Sequence, residues 1–249
     1  MQRVDDVVTA TICRPHRKNA LLPESILALD HLLTDVTASD ARVLVLTGAG
    51  GDFCSGADLR EIAATGMDSP EWMRSAASLV VRLAELPIPT IAKVRGVAAG
   101  AGCNLAIACD FVIGDTTARF SEIFVKRGVA VDFGGSWLLP RVVSVQAARR
   151  MLFFGDFVDS TEACQLGLMS VECAPEELDD VVDDWAARLA GLPQAALVHN
   201  KRLVLQGLSG SLAEAVDREI DVQSELLNSP EVREQMRQFF SKNASDEPR

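Results

Sequence analysis

The sequence predicts an α/β fold, and three features carry that expectation. Short apolar, β-branched runs alternate with amphipathic stretches through the first half of the chain. Two of the apolar runs lead directly into glycine-rich loops. Beyond about Ser144 the pattern becomes almost entirely helical, which divides the chain into a β/α core over residues 1–143 and a helical region over 144–249.

With 249 residues, 48% of them apolar, the chain can bury a sizeable core. Its 24 basic and 35 acidic side chains leave a net charge of −11, which argues against non-specific binding to nucleic acid or to an anionic membrane. No run approaches the roughly 18 apolar residues of a membrane span. Met1–Asp6 does not read as a signal peptide, so a cytoplasmic location is expected. Cys13, Cys54, Cys103, Cys109, Cys164 and Cys173 lie in apolar surroundings without a C-x-x-C pair. Buried free thiols follow, with no metal site. Three histidines and no tyrosine leave acid–base chemistry mainly to carboxylates.

In chain order, Val7–Cys13 has the β-branched content of a strand, which Pro15 ends. The basic loop Arg14–Leu21 (RPHRKNAL) follows. Pro23 opens a helix over Glu24–Val36 with Ile26, Leu29, Leu32 and Leu33 on one face. Arg42–Thr47 is apolar enough for a parallel strand covered on both sides. It feeds GAGGDFCSGADL, after which helices are expected from about Leu59 and over Pro70–Glu85. Thr90–Val94 reads as a buried strand, Gly96–Gly102 as a glycine turn and Asn104–Cys109 as a buried helix. Phe111–Gly114 is a further strand, and Val129–Leu139 sets Asp132 in a glycine-rich apolar turn. Asp159-x-x-Glu162 resembles a capping box. Helical periodicity then runs through Glu176–Ala190, Gln194–Gln206, Ser211–Leu227 and a last helix from Pro230.

The segment GAGCNLA, Gly100–Ala106, permits three readings. It loosely imitates a dinucleotide fingerprint but lacks the acidic residue expected about 20 positions on. Its small residues also allow tight strand–helix packing. A helix N-terminus at such a turn can instead bind a polarised carbonyl oxygen. The second glycine loop, Asp52–Leu59, favours this last reading. Two loops leaving neighbouring parallel strands can each direct one N–H at the same oxygen, and that suits a carbonyl becoming an enolate.

FCSGADL, GVAAGAGCNLAIACD and RFSEIFVKRGVAVDFGGSWLLPR, in that order, resemble the crotonase superfamily, the enoyl-CoA hydratase and isomerase family. The likeness runs from about Val7 to Gln206, and RPHRKNAL matches the family's basic loop. It implies a crotonase (ClpP/crotonase) spiral core with a helical C-terminal part that trimerises and covers CoA. A homotrimer or a dimer of trimers acting on an acyl-CoA thioester is expected, with no cofactor beyond the CoA of the substrate. By position the oxyanion donors are the N–H groups of Ala57 and Ala101. The resemblance assigns substrate and CoA contacts to Arg17, Lys18, Ala20, Ser55, Gly56, Asp58, Leu59, Gly100, Asn104 and Phe124. It further suggests Phe239, Phe240 and Lys242 over the CoA, and the stretch around Met67–Met73 along the acyl group.

Family hydratases carry two glutamates at the positions of Asn104 and Phe124 here. Phenylalanine cannot exchange a proton and asparagine has no useful pKa. Asp132 matches an acidic residue of the family's enoyl-CoA isomerases, which need one base to move a proton between two carbons. Its neighbours Val131 and Phe133 should raise its pKa by desolvation. A helix cap after Gly134 is the alternative role. Asp110 and Glu122 read as structural, and Asp58 as a cap for the helix at Leu59. The resemblance thus implies an enoyl-CoA isomerase. A hydratase using Asp132 and water, or a non-catalytic acyl-CoA-binding homologue, are the alternatives.

Overall fold

The computed structural model describes residues 1–65 and 69–245. Strand β1 (Gln2–Val4) turns back antiparallel onto β2 (Val7–Ile12), and helix α1 (Pro23–Ala38) leads to β3 (Val43–Gly48). Helices α2 (Leu59–Thr65) and α3 (Pro70–Ala84) precede β4 (Thr90–Val94), β5 (Val97–Ala99) and α4 (Ala101–Ile107). Strands β6 (Phe111–Asp115) and β7 (Arg119–Ser121) follow, then a 3-10 turn over Ile123–Arg127. The next elements are α5 (Gly135–Val142), α6 (Val145–Phe154), β8 (Val158–Asp159), α7 (Ser160–Leu166), β9 (Val171–Cys173) and α8 (Leu178–Gly191). Helices α9 (Gln194–Gly207), α10 (Leu212–Asn228) and α11 (Pro230–Ser245) end the described chain.

Six strands form the larger sheet in the order β1-β2-β3-β4-β6-β9, parallel from β2 onward. Its central strands are apolar at nearly every position because both faces are covered. Alternate residues point to opposite sides. Val43 and Val45 of β3, with Ile91 and Ile113, meet Leu178, Val182 and Ala186 of α8. Leu44 and Leu46 face the other way, into the main core with Leu33 of α1, Leu79 and Leu83 of α3 and Leu105 of α4. A second sheet, in the order β5-β7-β8, carries the turn into α4.

The chain divides into two compact units, Met1–Leu192 and Pro193–Arg249. Compactness thus places its division later than the change of sequence character after residue 143. Helices α6, α7 and α8 and the short strands β8 and β9 belong to the first unit; both strands lie within the stretch that reads as helical from sequence. In the second unit, α9 packs on α10 and α10 on α11, and Ser211 and Glu214 form a reciprocal capping box at the start of α10. At α7 only half of such a box forms. Asp159 accepts from the Glu162 N–H at 2.9 Å, while the Glu162 side chain pairs with Arg150 instead.

Two further local readings change in three dimensions. Gly96–Gly102 is not one turn, because Val97–Ala99 pairs in parallel with Arg119–Ser121, a partner that local pattern does not reveal. Of the cysteines, Cys54, Cys103 and Cys109 are buried, but Cys13 is exposed at the end of β2, and Cys164 and Cys173 are half-buried. Among the described residues no helix is long and apolar enough to cross a membrane.

One close approach sets α4 against the segment that bridges to the second sheet. A Cβ on Gly102 would stand 2.1 Å from the Cys54 carbonyl oxygen, so only glycine lets α4 lie against that segment. Gly102→Ala is expected to lower stability by about 1–3 kcal/mol. Gly51→Ala, whose Cβ would meet nothing within 4 Å, should change it by no more than about 0.5 kcal/mol. Urea unfolding midpoints of the two variants check the contrast.

Candidate active site

The site begins with the segment Phe53–Asp58, which is held on both sides by backbone. Cys54 bridges to Ala98: its N–H donates to Val97 O at 2.9 Å, and its carbonyl accepts from Ala99 N–H at 2.9 Å. Ala57 bridges in the same way to Leu21, but the bonds belong to its neighbours. Leu21 N–H donates to Gly56 O at 2.8 Å, and Asp58 N–H to Leu21 O at 2.9 Å. In this parallel register the Ala57 N–H faces away from Leu21, and it donates in no hydrogen bond among the described residues.

The second free donor lies beside it. Gly100, the residue before α4, donates to Ser121 O at 2.8 Å, and the helix closes its first bond from Asn104 N–H to Gly100 O at 3.0 Å. Ala101 is the first helical residue, so its N–H has no partner within the helix. Gly56 adopts a φ of +93°, and a Cβ there would lie 2.7 Å from Ala99 O and 3.4 Å from Ala101 N. The turn carrying Ala57 therefore packs directly on the start of α4. Two unpaired N–H groups at such a junction can share an oxygen that gains negative charge.

The basic loop docks on the same segment. Asn19 has no solvent exposure and fixes it: Nδ2 donates to Ala49 O at 2.9 Å and Asp52 O at 2.6 Å, while Oδ1 accepts from Arg14 N–H at 2.8 Å. Ser55 N–H bonds to Lys18 O at 2.9 Å. Arg17 and Lys18 are exposed beside this junction, with Lys18 Nζ 3.4 Å from Asp52. Ala20 is buried, and its carbonyl accepts from Arg14 Nη1 at 2.7 Å. Asp58 pairs with Arg14 at 3.2 Å. Burial pushes its carboxyl up, but Arg14 and the Glu61 and Arg60 N–H groups outweigh that and hold it below the usual range. Asp58 thus caps α2, and Leu59 beside it is exposed. Met67 and Asp68 lie outside the described residues, as do the side chains of Phe239, Phe240 and Lys242.

On the other side of the α4 turn stand Asn104, Phe124 and Asp132. Phe124 of the 3-10 turn packs on Gly100, its Cζ 3.6 Å from where a Cβ would be. Asn104, fully buried, donates Nδ2 to the Asp132 carbonyl at 2.9 Å. That carbonyl also accepts from Gly135 N–H at 3.1 Å, which fixes the Asp132 loop to α4 and α5. Phe133 is buried there with a φ of +51°. The Asp132 carboxylate does not cap α5, whose preceding residue Gly134 has no side-chain cap. It makes no hydrogen bond among the described residues. Its pKa is raised by desolvation, although solvent reaches the side chain.

The sequence from residue 2 to residue 246 matches the family described as enoyl-CoA hydratase/isomerase. The chain belongs to that family. A Rhodobacter capsulatus protein described as a probable enoyl-CoA hydratase is 36% identical over 96% of this chain and 93% of its own. The 1,2-epoxyphenylacetyl-CoA isomerase of Escherichia coli is also 36% identical, over the same 96% and 93%. The crystal structure of an enoyl-CoA hydratase from Mycobacterium smegmatis superposes with a TM-score of 0.91, at 30% identity, covering 97% of this chain and 95% of that one. The fold is therefore the crotonase fold.

Within this family site one residue reads differently in sequence and in structure. Glu122 reads as structural, yet it is fully buried, and neither carboxyl oxygen meets a partner at full hydrogen-bond geometry, although the donors of Cys103 and Asn104 stand close enough to act on it. Asp110, read the same way, is bonded to Thr90 N at 2.7 Å and Thr90 Oγ1 at 2.9 Å. No local pattern in FSEIF distinguishes Glu122 from any strand-end acid; its isolation arises from α4 and the Asp132 loop closing around it. Burial pushes its carboxyl up to about 7; Cys103 and Asn104 pull it partly back, and the Asp132 charge adds to the rise.

Asn104→Ala removes the side-chain bond that holds the Asp132 loop and is expected to cost about 1–3 kcal/mol in urea unfolding. Faster amide exchange at Phe133–Gly135 than at α8 should accompany it.

Proposed function

We propose that this protein is an enoyl-CoA isomerase in which Asp132 is the single base. The observation that carries the reading is the state of that carboxylate: no hydrogen bond, no capping role and a raised pKa, beside two positions where family hydratases carry glutamates and this chain carries Asn104 and Phe124. The 36% identity to the Escherichia coli isomerase supports it. The thioester oxygen accepts from the Ala57 and Ala101 N–H groups. Asp132 removes a proton from one carbon, the electron pair delocalises into the thioester as an enolate, and the same carboxyl returns the proton two carbons away. One base therefore suffices. Water addition would need a second group to complete the proton transfers.

Each N–H lowers the barrier by about 3 kcal/mol when it meets charge that develops only in the transition state. The exposed Arg17 and Lys18 bind the CoA phosphates by charge, and Ser55, Gly56 and Leu59 line the path from that loop to the oxyanion site. The helical region from 144 onward mediates assembly into a trimer or dimer of trimers and covers the CoA.

Purified protein offered 3-enoyl-CoA should form 2-enoyl-CoA faster than it hydrates 2-enoyl-CoA. Hydration as the faster reaction would favour the hydratase named among its relatives. Asp132→Asn should lower the isomerisation kcat by about 10²–10⁴-fold with the unfolding midpoint preserved; unchanged turnover would rule out the single-base mechanism. Ala101→Pro deletes one donor N–H at the first helical position, where proline is tolerated, and should cost about 10²–10³-fold in kcat. Wild-type kcat should also fall as pH drops through the raised Asp132 pKa, because the protonated carboxyl is no longer a base.

A further inference from the structure

The single-base reaction leaves Glu122 without a task, although it is a fully buried carboxyl on which Asn104 and Asp132 both act. It follows Ser121, which pairs with Ala99 and accepts the Gly100 N–H at 2.8 Å, so the chain delivers it beside the first turn of α4. Both its oxygens are buried and unpartnered, and so is Asn104 Oδ1. Asn104 Nδ2 gives one hydrogen to the Asp132 carbonyl, and its Oδ1 is left as a buried acceptor facing no donor. A carboxylate and an amide oxygen are both acceptors and cannot satisfy one another; a protonated carboxyl supplies the missing donor. The titratable groups acting on Glu122 are Cys103 on α4 and Asp132 on the facing loop, and neither is a cation. Desolvation holds the Cys103 thiol neutral. Lys126, on the adjoining 3-10 turn, is engaged by Asp156 at 2.6 Å.

We propose that Glu122 is a positioning residue that works as a neutral acid, its O–H donating to Asn104 Oδ1 while Asn104 Nδ2 holds the Asp132 loop. Losing the proton has two effects. It breaks the link that orients Asn104, and it puts a second negative charge next to Asp132 and behind the α4 N-terminus, where it opposes an enolate. The effect on rate rests on the isomerase reading; the hydrogen bond does not. Burial of the carboxyl, which places its midpoint near 7, puts this switch within the working range of pH.

Two measurements separate the claims. Protein labelled with ¹³C at the glutamate carboxyl carbons, with the Glu122 signal identified by its loss in Glu122→Gln, is titrated by NMR. A midpoint near 7 that falls in Asp132→Asn supports the proposal, as do amide shifts at residues 131–135 that follow the same midpoint and vanish in Glu122→Gln. A midpoint near the ordinary 4.5, or a loop that ignores the titration, overturns it whatever the enzyme's activity. The second measurement is kcat for 3-enoyl-CoA against pH. Wild type should fall about tenfold between about pH 6 and about pH 8 as the acid form is depleted, and Glu122→Gln, a permanent donor, by less than about twofold. Equal alkaline falls in both would overturn the positioning role. If wild type does not isomerise, the isomerase reading fails and the NMR titration still decides the hydrogen bond.

Discussion

Everything at the site depends on the threading of Phe53–Asp58 between two other segments. Cys54 bridges to Ala98 and Ala57 to Leu21, so a short extended segment joins the second sheet on one side and the basic loop on the other. The register of these two single-residue bridges decides which N–H groups are consumed. Shifting it by one residue would satisfy Ala57 and leave a neighbour free instead. Gly102 permits the arrangement by letting α4 approach Cys54 more closely than any side chain would allow. The donors are therefore set by backbone pairing, and side-chain changes around them affect the site only through that framework.

Electrostatically the two sides of the α4 turn are unlike. Toward the basic loop, each acid has a cation: Asp52 has Lys18 and Asp58 has Arg14. Toward Asp132 and Glu122 the pKa of each is raised, with desolvation the leading cause in both. In the first setting burial is outweighed by Arg14 and the Glu61 and Arg60 N–H groups, which hold the Asp58 carboxyl below its ordinary range. Burial moves the carboxyls in the second setting upward, in the direction that acid–base work near neutral pH requires.

Much of the fold was readable before any coordinates, and the limits have physical causes. Thr90–Val94 is a strand in both, since its apolar run is local and complete. α1 and α3 match their periodic stretches to within a few residues, because packing one face against a core leaves that period in the sequence; α9 and α10 match theirs as well, although none of their residues is buried. β5, β8 and β9 escaped because strands of two or three residues are defined by distant partners. At the site, Asp132 could be picked out by family likeness and by its apolar neighbours. Glu122 could not, since what sets it apart is the absence of a partner, and only the closed structure reveals an absence.

Phe133 gives the Asp132 loop one more property. An aromatic residue in the left-handed region is disfavoured locally by about 1–3 kcal/mol and persists only where its surroundings over-determine it. Here those surroundings are a buried pocket and the bonds that converge on the Asp132 carbonyl. The loop holds this shape only against the core that buries its ring, so the placing of the Asp132 carboxyl depends on packing that lies outside its own segment. A change that loosens the pocket around Phe133 would therefore move that carboxyl without touching it.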